Sequence, residues 1–188
     1  REVYAGVMSG TSMDGVDAVV ADFAPTTQAP CALLSASHVP FAPDLAAMLA
    51  ALQRSGDDEL ARAARAANAL ADTYAQAIQA ALGLAGLAAE DVVAAGVHGQ
   101  TLRHRPDEGW TLQLNNPARI AEHTGVPIVA DFRAATSLPA GKARVSVLGV
   151  VLHANGARVA RRFIMASRIL NWGFGTPTAS FTVPAVPA

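Results

Sequence analysis

One stretch constrains this chain more than any other: Val7-Met8-Ser9-Gly10-Thr11-Ser12-Met13-Asp14-Gly15-Val16-Asp17. Apolar residues precede it (Val3, Tyr4, Ala5, Val7) and follow it (Val16, Ala18, Val19, Val20). That pattern predicts two strands joined by a tight turn. Gly10 and Gly15 open backbone angles closed to other residues and let the main chain approach a ligand. Ser9, Thr11 and Ser12 place hydroxyls beside backbone N–H groups, as in a phosphate cradle. Asp14 and Asp17 suit a cradle that also holds a metal ion or a sugar hydroxyl. From turn chemistry alone an ordinary hairpin is the commoner reading, because Gly, Ser and Asp make turns everywhere.

The bulk numbers leave room for a packed core. Of 188 residues, 52% are apolar and 15% charged, a globular composition. The length suits one domain or a little more. A formal charge of −1 suggests no nucleic-acid or membrane-surface partner. Cys31 is the single cysteine, so no internal disulfide framework exists, which fits a reducing, cytoplasmic compartment. On its own Cys31 reads as a small buried apolar residue. No uncharged apolar run reaches the roughly 18 residues of a membrane span. The chain starts directly on a strand, so no signal peptide is expected.

In order, strands are expected at Val3–Val7, Val16–Phe23 and Cys31–Phe41, with a loop at Pro25–Pro30. His38 is given no role. A short helix follows from Pro43 to Gln53, then a break at Ser55–Asp58 with Asp57 or Asp58 as cap. Leu60, Ala63, Ala67, Leu70, Tyr74, Ile78 and Ala81 then define one helical face. Its small residues suit close packing on a sheet, and Gly83 and Gly86 end it. Arg62, Arg65, Asn68, Asp72 and Gln76 read as solvated. Val92–Val97 is an apolar strand running into His98-Gly99-Gln100-Thr101. A polar cluster at the carboxyl end of a buried strand is where open α/β sheets place ligands; a loop with satisfied polar groups is the plainer alternative. A hairpin through Trp110–Leu114 carries His104 and Arg105 as exposed residues. Asn116 caps and Pro117 opens a helix to Thr124, stopped by Gly125. Pro127–Phe132 is a further strand, ending in Asp131-Phe132-Arg133. Arg133 there can clamp a carboxylate or form a surface ion pair.

The strings VMSGTSMDGVDAVVADF and GVHGQTLRHRPD resemble signatures of the anhydro-N-acetylmuramic acid kinases, within the actin, Hsp70 and sugar-kinase superfamily. No GxGxxG is present, Gly141-Lys142-Ala143 lacks the elements of a P-loop, and Gly10–Asp14 is not a nucleophile elbow. The resemblance covers about residues 3–135 and implies a ribonuclease H-like α/β lobe, a mixed sheet flanked by helices, which the order of elements also suits. It implies that the first turn (Gly10, Thr11, Ser12, Met13, Asp14, Gly15, Val16, Asp17) wraps the ATP phosphates, with Asp14 or Asp17 near Mg²⁺ or sugar. It implies that His98, Gly99, Gln100, Thr101, Asp131 and Arg133 hold the sugar, whose lactyl carboxylate would suit Arg133. The implied parent reaction opens a 1,6-anhydro ring with water and phosphorylates the freed O6 from ATP. A homodimer is implied for the intact protein. The family usually has Gly where Asn115 stands; Asn tolerates left-handed angles fairly well, making this a mild departure.

After Ala135 the resemblance stops. The family continues with a string close to DVAAGGQGAPLVPAFH, whereas Thr136–Arg144 reads TSLPAGKAR. Encoded as GAC GTC GCT GCC GGC GGG CAA GGC GCG C, the family string read one base later yields those nine residues. The hypothesis is a single-base frameshift at codon 136, in the gene or its sequencing. Genomic DNA lacking such codons there would refute it. Ile169–Gly175 weakly resembles a later LNLGG strand-turn. The family's GFDTGPGN-like motif, with the aspartate proposed to activate water, has no counterpart here, so no catalytic residue is assigned. The expected division is a lobe at 1–135 and a divergent, poorly packed tail at 136–188, loose at Thr176–Ala188.

Overall fold

A computed structural model describes residues 1–24, 31–131, 148–153 and 163–168. The first three strands form a meander: β1 (Val3–Ser9), β2 (Gly15–Asp22) and β3 (Ala32–Pro40). β1 pairs antiparallel with β2, and β2 antiparallel with β3. β4 (Val92–Val97) then adds parallel to β1, and the two-residue β7 (Ile128–Val129) parallel to β4. The five-stranded order is β3-β2-β1-β4-β7, so β1 is central and β2 alone runs against the rest.

Helix α1 (Pro43–Ala51) precedes α2 (Glu59–Ala85), whose 27 residues span the sheet. α2 covers the face bearing Val3, Ala5, Val7, Ala18 and Val20, and all of these are buried. Alanines keep the helix close: Ser35 Oγ donates to the Ala81 carbonyl at 2.6 Å and Ser37 Oγ to that of Ala77 at 2.8 Å. Larger side chains at those turns would hold the hydroxyls out of reach. Gly86, in the left-handed region at φ 64°, stops α2 as expected, whereas Gly83 lies inside the helix and does not end it. A satellite cluster on the opposite face joins Val19 and Ala21 to Phe23, Leu33 and Ala36. Tyr4 meets Phe23 there edge-on at 5.6 Å.

β5 (Gln100–Arg105) and β6 (Trp110–Leu114) form a separate hairpin, and α3 (Pro117–Thr124) follows. The Asn116 side chain caps α3 by accepting from the Arg119 N–H at 3.2 Å, as expected. His104 and Arg105 are exposed, also as expected. α3 is tied to α2 by a fork in which Arg119 Nε and an Nη donate to the Asp72 carboxylate at 2.6 and 3.0 Å. Asn116 also donates to Asn68 at 2.8 Å. Asp72 and Asn68 are therefore joints between helices, not merely solvated groups. A further antiparallel hairpin, β8 (Leu148–His153) with β9 (Phe163–Arg168), lies within the stretch expected to be poorly packed. Arg133, Thr136–Arg144, Ile169–Gly175 and Thr176–Ala188 lie outside the described residues. Among the described residues no helix is long and apolar enough to cross a membrane.

Candidate functional site

Because β1, β4 and β7 are parallel, their carboxyl ends share one rim of the sheet. Register places Val7 beside Val97, and Gly96 beside Val129. Each strand then releases one of the three polar stretches: Gly10–Asp14 after β1, His98–Thr101 after β4, and Asp131 after β7. Strand spacing sets Asp131 about 10 Å along the rim from the first turn. A direct bond joins the first two stretches, 90 residues apart, where Gln100 Nε2 donates to the Gly10 carbonyl at 3.2 Å.

The first turn is closed by the Met13 N–H donating to the same Gly10 carbonyl at 3.2 Å. Two donors thus hold that carbonyl inward. Thr11 and Ser12 are exposed on the outer side, and no bond among the described residues uses their N–H groups. The left-handed residue of the turn is Met13, at φ 53°. Neither glycine needs such an angle, which corrects the expectation for Gly10 and Gly15. Gly15 is required for space: a Cβ there would lie 2.5 Å from the Val39 carbonyl oxygen and 2.7 Å from His38 Cε1. Ser9 is also corrected. Its hydroxyl points into the core and pairs with the Tyr74 hydroxyl at 2.7 Å, so it anchors the turn to α2 instead of facing a ligand. Burial pushes the Tyr74 phenol well above its ordinary range.

Ser12 Oγ donates to Asp14 Oδ1 at 2.7 Å, and that bond leads the causes holding the Asp14 carboxyl below its usual range. Asp14 is exposed and ionised at neutral pH. Asp17 lies on β2, its carboxylate 3.1 Å from His38 Nδ1, so His38 acquires a partner where no role was expected. Val16 is fully buried and supports the turn from beneath.

In the second stretch, Gly99 adopts φ 78° and a Cβ there would lie 2.8 Å from the Leu114 carbonyl oxygen, so both angle and space demand glycine. His98 Nδ1 lies 2.7 Å from the Gly99 carbonyl oxygen. A carbonyl only accepts, so a hydrogen bond here places a proton on Nδ1. Thr101 Oγ1 donates to Gln113 Oε1 at 2.7 Å. Gln100 and Thr101 belong to β5, not to a loop. Gln100 is 1% exposed, yet its Oε1 has no hydrogen-bond partner. Asp131 is exposed at φ 60°. That angle ends the strand at Val129, short of the expected Phe132. Among the described residues no group of three metal-ligating side chains forms a cluster.

A family model described as Anhydro-N-acetylmuramic acid kinase matches residues 2–144. The chain belongs to that family. It is 54% identical over 131 residues to the anhydro-N-acetylmuramic acid kinase of Burkholderia thailandensis, covering 70% of this chain and 34% of the relative. To the kinase of the same name from Cupriavidus pinatubonensis it is 53% identical over 134 residues, covering 69% and 35%. The corresponding Burkholderia vietnamiensis protein is 55% identical over 131 residues, with 70% and 34% covered. The chain spans about a third of the length of the curated relatives it matches.

For this anhydro-N-acetylmuramic acid kinase family member, two contributors escape a reading of residues alone. Tyr74 looks like one more apolar position on the α2 face; only the long-range fold reveals its hydroxyl beneath the turn. Asn115 is a residue type that tolerates left-handed angles. Its φ is not among the positive values, and its buried Oδ1 and Nδ2 both lack partners.

Proposed function

We propose that this chain is the amino-terminal lobe of an ATP-dependent kinase for a 1,6-anhydro amino sugar, in a ribonuclease H-like fold. In the parent reaction, water opens the anhydro ring of 1,6-anhydro-N-acetylmuramic acid and O6 receives the γ-phosphoryl group. Gly10–Asp17 would receive the nucleotide phosphates, with the outward Thr11 and Ser12 N–H groups as donors. His98–Thr101, Asp131 and Arg133 would receive the sugar. The observation that carries this reading is the Gln100–Gly10 bond at 3.2 Å, which couples the candidate phosphate turn to the candidate sugar turn. The sheet order β3-β2-β1-β4-β7 supports the fold assignment.

Asp14 or Asp17 would lie near Mg²⁺ or the sugar. For Mg²⁺ the exposed, ionised Asp14 is the better fit, because Mg²⁺ takes one or two carboxylates and fills its remaining positions with phosphate oxygens and water, whereas the Asp17 carboxylate is paired with His38. When bound, the ion neutralises charge on the transferring phosphate. A cytoplasmic location is proposed, with the lone Cys31 fitting a reducing compartment, and a homodimer is proposed for the intact protein.

The chain alone is proposed to be inactive. Phosphoryl transfer depends on holding phosphate, acceptor and water together, and the string resembling the family's catalytic aspartate motif is missing. Residues 136–188 are proposed to be a frameshifted tail. A coupled ADP-release assay with the anhydro sugar tests the inactivity, and turnover above background would overturn it. Calorimetry with ATP and with the sugar separates a binding lobe from an inert remnant, which is the second reading. A regulatory module of the acetate-kinase or Hsp70 type is the third; substrate profiling of an intact relative would exclude it.

A further inference from the structure

We propose that His38 is a positioning residue for the nucleotide turn: it lies in the space left by Gly15, and its Nδ1 holds the Asp17 carboxylate, fixing the β2 side of Gly10–Asp17. The inference rests on the phosphate-turn reading above. Cross-strand register sets it up. His38 on β3 lies directly opposite Asp17 on β2, and Pro40 opposite Gly15. Ser35 and Ser37 reach α2, so alternation turns His38 to the other face of the sheet, with Asp17 and Gly15. Diagonal neighbours on one face are within reach of a large side chain. Here the diagonal position is a glycine, and the ring fills its place: a Cβ built on Gly15 would sit 2.7 Å from His38 Cε1 and 2.8 Å from Nε2. The opposite edge of the ring bears the bond. Nδ1 lies 3.1 Å from Asp17 Oδ1, and a carboxylate only accepts, so a hydrogen bond here places a proton on Nδ1.

The chain just beyond His38 is tied to the same turn. The Phe41 N–H donates to the Asp14 carbonyl at 3.1 Å, and the Phe41 side chain is buried in the core. The end of β3 therefore braces the turn from the side of β2, as Gln100 braces it from the side of β4. Such bracing matters for an anion site, because N–H donors act best when their directions are set before the ligand arrives. Thr11 and Ser12 are exposed at the tip, so the directions of their N–H groups depend on what holds the two flanks.

The test titrates the 188-residue chain by calorimetry with ATP and with inorganic tripolyphosphate, magnesium present throughout. His38→Ala removes ring and bond. His38→Phe keeps a ring beside Gly15 without a donor, and His38→Asn keeps a donor at the place of Nδ1. His38→Ala is expected to weaken both probes about fivefold, the size of one lost hydrogen bond. His38→Asn is expected to return to within about twofold of the native chain, and His38→Phe to stay with His38→Ala. Thermal unfolding by circular dichroism establishes that each variant folds; a merely structural role would lower the midpoint and leave the affinities as they were. Unchanged affinity in folded His38→Ala overturns the proposal and leaves the phosphate reading standing. Recovery by His38→Phe in place of His38→Asn overturns it as well, since bulk would then replace the bond. The comparison of Asn with Phe decides by itself if His38→Ala fails to fold. A native chain that binds neither probe overturns both readings.

Discussion

At the scale of single residues, the hidden supports of the turn are the most exacting. Ser9 and Tyr74 satisfy each other in the core. Tyr74→Phe leaves the Ser9 hydroxyl buried without a partner and is expected to cost about 1–2 kcal/mol, read from the denaturant midpoint. The double variant Ser9→Ala with Tyr74→Phe is expected to recover part of that loss, because no orphan then remains. Gly15→Ala drives a methyl into the Val39 carbonyl and is expected to destabilise by about 1–3 kcal/mol in the same measurement. Residue types at the site were largely legible in the string; directions were not. Gly15 and Ser9 were both noticed, yet each serves the interior, because cross-strand neighbours and a helix 65 residues away decide where their atoms face. Asn115 escaped for a related reason: burial of its amide depends on the hairpin folding beside it.

At the scale of elements, periodicity performed well where one face is buried. The helix break at Ser55–Asp58, the limits of β4, and the cap and stop of α3 all match, since apolar repeat and capping chemistry are local. β7 was overread because Ile128–Ala130 looks like a strand until the backbone turns left-handed at Asp131. The joint between α2 and α3 was missed, since charged residues on a helix surface look solvated until their partner arrives. That joint has a pH signature. The Arg119 guanidinium holds the Asp72 carboxyl below its ordinary value, and the unfolded chain has no such fork. A depressed folded pKa supports stability above the unfolded carboxylate value near 4 and loses it as pH falls through the folded value. The melting temperature is therefore expected to hold between about pH 7 and 5 and to decline below about pH 4. Asp72→Asn should flatten that decline; an unaltered acid slope would show that the fork contributes nothing measurable.

At the scale of the whole molecule, one rim carries the chemistry-bearing turns, while the matched stretch is about a third of each relative's length. Sites that close between two lobes show coupling between ligands, and a single lobe has nothing to close. ATP affinity of this chain is therefore expected to change by less than about twofold when the anhydro sugar is saturating, measured by calorimetry. A change above about fivefold would show that these residues alone communicate between the two turns.

The bond from Gln100 to Gly10 also orders events in time. Its two ends are 90 residues apart, so it cannot form until the intervening helix has docked and β4 has slotted beside β1. Distant pairings of that kind are slow to form. A nascent chain halted before Gln100 would own the complete glycine turn and still lack the strut behind it. The two turns are therefore joined only once Gln100 has been added and β4 is in place.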